Sequence, residues 1–87
     1  MINFKQRELS QQLFEQLHAR FPEIDLVSIT ESYENPDDTW VNMVMPEDEE
    51  RELALRDLAG ELSTDLLLNY GYSITISAEP RRALAAA

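Results

Sequence analysis

The sequence predicts an α+β fold: an αββαβ two-layer sandwich, in which two helices cover one face of a three-stranded mixed sheet. Two long segments carry apolar residues at helical spacing, and three short segments are rich in β-branched residues or alternate between apolar and polar. Turn-forming residues separate these segments. With 87 residues the chain fits one domain. We expect this α/β domain to span residues 1–79, and residues 80–87 to form a flexible C-terminal tail.

The first helix is predicted over about residues 5–20, because Leu9, Leu13 and Leu17 recur every four residues. It should end at Phe21, since a residue that precedes a proline avoids helical dihedral angles. Residues 24–30 are rich in β-branched residues and predict the first strand. The following turn signal is Asn35-Pro-Asp-Asp, so residues 39–45 should return as a second strand in a hairpin.

The second helix is predicted over about residues 47–69, where four acidic residues at its start complement the helix dipole. Gly71 suits the left-handed position after a helix end. Residues 72–78 alternate and form the third strand. A strand–helix–strand connection is normally right-handed, so strand three should run parallel to strand two. The layout resembles half of a ferredoxin-like fold, with both helices on one face and the other face bare.

The bare face is the candidate partner-binding surface. Val41, Met43 and Met45 are uniformly apolar and should face the helices. The opposite face would then present these side chains, with Leu26 beside them: Trp40, Asn42, Val44, Ser73, Thr75 and Ser77. An exposed tryptophan among small polar residues is typical of protein-binding patches. The alternative is that Trp40 packs under the tail or the sheet edge.

The charge distribution excludes some partners. The net charge is −10, and residues 23–65 hold 14 acidic residues against Arg51 and Arg56. Such a surface repels phosphate backbones and anionic lipids, so we expect neither nucleic acid nor membrane as a partner. We expect a protein partner instead: a second copy of the chain, since self-association is a common remedy for a domain this small, or a basic protein. The N-terminal residues lack a signal-peptide pattern, which favours the cytoplasm.

No motif in the chain predicts a catalytic centre or a cofactor. There is no cysteine, and the two glycines do not form a phosphate-binding loop. Gly60, within the second helix, is expected to let that helix approach the sheet closely. The single histidine, His18, is expected near the surface at a helix end. Glu34, Asp37 and Asp38 could ligate a hard cation, although turn chemistry also explains them.

Most of the chain resembles, mainly in layout, the minimal nucleotidyltransferase domain of the DNA polymerase β type. Residues 21–29, then Glu31-Ser32-Tyr33, then residues 35–38 before a strand look like that family's helix, strand, Gly-Ser turn and Asp-x-Asp strand. Residues 66–76 are similar to its later helix–strand passage. Glu31 replaces the glycine, and Thr39 and Val41 stand where the Mg²⁺-binding aspartates belong. The resemblance therefore implies a shrunken, inactive relative.

The layout also resembles the cytoplasmic αββαβ domain of cation-diffusion transporters, through residues 40–45, 47–69 and 72–80. That family uses the domain to dimerise, but its histidine ligands are missing here. We therefore expect a non-catalytic interaction or dimerisation domain with no cofactor. The alternative is a degenerate nucleotidyltransferase-like or metal-responsive regulatory domain that uses Glu34, Asp37 and Asp38.

Overall fold

A computed structural model describes residues 2–86 and gives the element order α1-β1-β2-α2-β3-α3. The long helices are α1 (Phe4–Arg20) and α2 (Glu49–Tyr70). The strands are β1 (Asp25–Glu31), β2 (Asp38–Val44) and β3 (Ser73–Ala78). A short helix, α3 (Ala83–Ala86), follows β3. The predicted α+β architecture is confirmed.

The sheet has the strand order β1-β2-β3, with β2 in the centre. β1 and β2 are antiparallel, as the Asn35-Pro-Asp-Asp turn predicts, and β2 and β3 are parallel, as the α2 crossover requires. The β1–β2 register shifts between Leu26 and Ser28, so Val27 is an extra residue in a β-bulge. The β2–β3 register runs without a shift from Asp38↔Ser73 to Met43↔Ala78.

Side chains at its first turn fix where α1 begins. Asn3 accepts a hydrogen bond from the Gln6 backbone N–H (2.7 Å), and the Gln6 side chain accepts one from Asn3 N–H (2.9 Å), which makes a capping box. The Gln6 amide also donates to the Pro36 carbonyl (2.8 Å). That bond ties the start of α1 to the loop between β1 and β2.

Both ends of α2 match the sequence signals. Asp48 is the N-cap and accepts from Arg51 N–H (3.0 Å), while the first turn carries Glu49, Glu50 and Glu52. The helix ends at Gly71, whose φ of 79° lies in the left-handed region. A glycine adopts this angle without the penalty that a Cβ atom brings.

The core lies between the two long helices and one face of the sheet. It includes Leu9, Leu13 and Leu17 from α1, Leu55 and Ala59 from α2, and Val41, Met43 and Ile74 from the strands. α1 packs on β1 and β2, whereas α2 packs mainly on β3. The expectation for Gly60 is wrong: a Cβ atom there would meet nothing within 4 Å. Gly60 is exposed, and its neighbour Ala59 faces the core instead.

The segment after β3 turns back toward β1. The Glu79 N–H donates to the Met43 carbonyl (2.9 Å), and the Arg81 guanidinium donates to Asp25 (3.0 Å). α3 then contacts β1. Residue 87, part of the predicted tail, lies outside the described residues, and the flexibility of residues 80–87 in solution stays a prediction. Within residues 2–86, no helix has the length and apolarity needed to cross a bilayer.

Candidate protein-binding face

The sheet face turned away from α1 and α2 is called the open face below. Trp40 lies on it, in the central strand, with Thr30 of β1 and Thr75 of β3 as its neighbours in register. The Trp40 side chain is 39% exposed, although β2 as a whole is the most buried strand. The indole therefore stands between two strands that offer only short hydroxyl side chains beside it.

Asn42 belongs to the same face but is not available to a partner. It is 8% exposed, and its amide donates to Ser28 Oγ and to Thr30 Oγ1, both at 3.1 Å. These bonds satisfy both amide hydrogens. Asn42 thus ties β1 to β2 across the open face and holds Thr30 beside Trp40.

Val44, the third predicted residue of β2, is also buried, at 6% exposed. It pairs in register with Asp25, the residue that Arg81 binds, and α3 contacts the same strand. The segment after β3 thus lies at the Val44 end of the sheet. The accessible part of the open face is the opposite end, around Trp40.

The three β3 residues of the predicted face differ in exposure. Thr75 is exposed, and Ser73 and Ser77 are half-buried. Leu26, expected beside Trp40, packs against the core instead. The reason is the bulge at Val27: Leu26 pairs with Met43, whereas Ser28 pairs with Asn42, so the two residues face opposite sides of the sheet.

The acidic turn that could ligate a cation is held by turn hydrogen bonds. Asn35 Oδ1 accepts from Asp37 N–H (3.0 Å), and Ser32 Oγ accepts from Glu34 N–H (3.3 Å). Asp38 N–H donates to the Asn35 carbonyl (3.0 Å). Over residues 2–86, no three side chains among His, Asp and Glu come together as metal ligands.

His18 and Glu23, a carboxyl group with a lowered pKa, lie away from the open face. His18 is exposed and stacks on Phe14, with ring centroids 5.7 Å apart. The Arg51 guanidinium donates two hydrogen bonds to Glu23, which, together with a backbone hydrogen bond at Glu23, lower the pKa of that carboxyl to about 2. The same guanidinium lies 4.9 Å from the Phe21 ring centroid. This cluster joins the end of α1 to the start of α2.

The sequence did not predict one open cleft. It measures about 860 Å³ and lies between the start of α1 and the β1–β2 loop, with Arg7, Glu31 and Tyr33 among its lining residues. Nothing in the sequence pattern indicates it, because it forms where two loosely patterned segments meet. It holds no histidine and no group of carboxylates.

Comparison with known proteins assigns no family to the chain. No protein-family model matches it, and neither a curated protein nor a solved structure matches it. The two resemblances of layout therefore stay predictions, and the functional hypothesis depends on the geometry of this domain alone.

Proposed function

We propose that this chain is a small, acidic, non-catalytic protein-interaction domain that binds its partner through the open face around Trp40. The observation that carries the proposal is the position of the indole: 39% exposed, in the central strand, on a face that neither long helix covers. Large aromatic side chains in such positions are the usual anchors of protein interfaces. An indole also has few rotatable bonds to immobilise on binding.

The surroundings of Trp40 favour a protein partner. Its cross-strand neighbours, Thr30 and Thr75, are uncharged, so an interface there needs little desolvation of charge. The net charge of −10 would accelerate encounter with a basic partner and oppose a second acidic copy at low salt. The first expectation is thus a basic partner protein in the cytoplasm, and a homodimer is the alternative.

The test compares two variants as baits in extracts of the native host. Trp40→Thr removes the anchor and keeps a residue that suits a strand. Tyr33→Thr removes a fully exposed aromatic from the loop between β1 and β2 and serves as the matched control. A partner captured by the wild type and by Tyr33→Thr, and lost by Trp40→Thr, would then be purified for titration calorimetry. We expect Trp40→Thr to weaken its affinity at least about tenfold, the effect of a typical hot spot.

One result would count against the open face as the binding surface, and another would replace the basic partner with a second copy. If every captured partner binds Trp40→Thr as tightly as the wild type, the open face is not the binding surface. If sedimentation shows a dimer at micromolar concentration that Trp40→Thr abolishes, the partner is a second copy. Circular dichroism of each variant must first show the native fold. No observation favours the metal-responsive alternative, which titration with Mg²⁺, Mn²⁺ and Ca²⁺ would test at Glu34, Asp37 and Asp38.

A further inference from the structure

β3 is an edge strand, and its hydrogen bonds to β2 show which of its backbone groups point outward. Ser73 N–H donates to the Asp37 carbonyl (3.3 Å) and Glu79 N–H to the Met43 carbonyl (2.9 Å), with an unbroken parallel register between them. Every second residue from 73 to 79 therefore directs its backbone groups toward β2. The residues between them, Ile74, Ile76 and Ala78, direct their N–H and C=O groups outward, where the described sheet has no further strand. Ile74 is only 1% exposed, so the accessible part of this edge lies at Ile76, which is half-buried, and at Ala78, which is exposed.

The two helices, packed side by side, are wider than the three-stranded sheet that they cover. Packed helices lie about 8–10 Å apart, and neighbouring strands about 4.8 Å apart, so two helices side by side cover about four strands. This sheet has three. α1 packs on β1 and β2, and α2 packs mainly on β3, so the missing strand position lies at the outer edge of β3, beneath α2.

A groove occupies this position. It measures about 370 Å³ and runs between α2 and β3, with Gly60, Ser63 and Thr64 on the helix side and Ile74 and Ile76 on the strand side. Arg56, which is paired with Glu52, also lines it from the helix. Small residues on the helix leave room there, since even a Cβ atom on Gly60 would meet nothing within 4 Å. The Ile76 side chain is only half-buried and forms the apolar floor of this edge groove.

The two edges of the sheet differ in protection. β1 has a bulge, charged residues at both ends and α3 against it, which are common means of preventing strand addition. β3, with the sequence SITISA, has no charge, no proline and no register shift. The part of this edge at Ile76 and Ala78, which has none of these protective features and is accessible, is available for pairing with another strand.

The charges near β3 restrict which kind of polypeptide segment could bind in the edge groove. Residues 73–78 are neutral, but acidic residues lie near both ends of the strand: the backbones of Asp37 and Asp38 pair with Ser73, and Glu79 follows Ala78. A segment that pairs with β3 would therefore be favoured by an uncharged centre and a cationic residue at each end. The apolar groove floor and the small residues of α2 favour large apolar side chains at alternate positions, facing the helix.

We propose that the edge groove binds an extended segment of a partner protein, which adds to the sheet as a fourth strand antiparallel to β3. The segment has alternating apolar residues, a neutral centre and a lysine or arginine at each end. A second copy of this chain fits poorly, because antiparallel pairing of two β3 strands would bring both α2 helices over the same position. The inference concerns a surface other than the Trp40 face and does not depend on it.

The test uses a synthetic eight-residue peptide with blocked termini, in which threonine alternates with valine or isoleucine between terminal lysines. Titration into the ¹⁵N-labelled domain should give a Kd below about 1 mM, a weak but measurable affinity. The backbone amides of Ile76 and Ala78 should shift and become protected from hydrogen exchange. Those of Thr75 and Ser77, already bonded to β2, should change little. This alternation is the signature of strand addition at this edge.

Two neighbouring positions on α2 provide matched variants. Gly60→Phe fills the groove and should weaken peptide binding at least tenfold, whereas Glu61→Phe places the same side chain about 100° around the helix and should leave it unchanged. A peptide with glutamate in place of both lysines should bind at least threefold more weakly. Trp40→Thr should bind the lysine peptide like the wild type, which separates this inference from the open-face proposal.

Three outcomes would overturn the inference. One is the absence of binding at 1 mM peptide, and another is a set of shifts in which the amides of Ile76 and Ala78 change no more than those of Thr75 and Ser77. The third is self-association of the wild type that Gly60→Phe abolishes, which would assign the edge groove to a second copy. A loss of peptide-induced shifts in Gly60→Phe counts as support only if its circular dichroism spectrum matches that of Glu61→Phe.

Discussion

Thr39→Val should stabilise this domain, although it removes a hydroxyl group from a buried residue of the central strand. Thr39 is 1% exposed and pairs in register with Glu31 and Ile74. Its hydroxyl has no hydrogen-bond partner among the described residues. A buried hydroxyl without a partner costs about 1–3 kcal/mol of folding free energy. Valine has nearly the same shape and no hydroxyl, and it favours strands.

The expected gain in the free energy of unfolding is about 1–2 kcal/mol, because the added methyl group also gains apolar burial. For a domain of this size, each kcal/mol corresponds to an increase in Tm of about 4–8 °C. Urea unfolding followed by circular dichroism and tryptophan fluorescence measures the change. The slope of the free energy against urea should stay constant, because the area exposed on unfolding does not change.

Thr30→Val is the matched control. Thr30 lies on the neighbouring strand, but it is exposed and its Oγ1 accepts a hydrogen bond from the Asn42 amide (3.1 Å). Its replacement leaves one hydrogen of a buried amide unsatisfied and should lower stability by about 1 kcal/mol. The same chemical change should therefore have opposite signs at the two positions. If Thr39→Val lowers stability by as much as Thr30→Val, the Thr39 hydroxyl has a partner and the reasoning fails.

The remaining predictions concern the two glycines and the surface ion pair. Gly60→Ala should raise stability by about 1 kcal/mol, because alanine is the better helix former and its Cβ meets nothing; Gly71→Ala should lower it by about 1 kcal/mol, because φ is 79°. Both changes are read from urea midpoints, and equal signs would contradict the assignment of Gly71 as the helix cap. The depressed pKa of Glu23 contributes stability above pH 4.5 that is lost as the pH falls toward 2. Arg51→Gln should raise the pKa of Glu23 toward 4.5 in a carboxyl NMR titration; an unchanged titration would show that Arg51 is not the cause.

Residue patterns that repeat along the chain predicted most of this fold. The leucine spacing, the Asn35-Pro-Asp-Asp turn and Gly71 are local signals, and each specifies the element that contains it. The parallel pairing of β2 with β3 then followed from the handedness of the crossover. The side of Leu26 could not be predicted, because one extra residue in β1 reverses the alternation and its cause lies in the pairing with β2.

The candidate surfaces were predictable only in part. Trp40 was placed on the open face by comparing two alternating sets in β2, which is a local argument. The burial of Asn42 and Val44 depends on Ser28, Thr30 and the segment after β3, which are far away in sequence. The edge groove depends on the lateral position of α2 over β3, and no spacing of residues encodes that distance. Non-local packing thus accounts for what the sequence did not reveal.

The central position of β2 has a consequence for the order of folding. β2 pairs with β1 through a short loop, but Asp38 meets Ser73 only after the whole of α2 has been made. Non-local pairing of this kind forms late, because loop closure must precede it. During synthesis one side of β2 therefore stays unpaired, with the apolar Val41 and Met43 in that strand. Molecular chaperones, or α2 packed early against α1, would have to protect this strand from aggregation until β3 arrives.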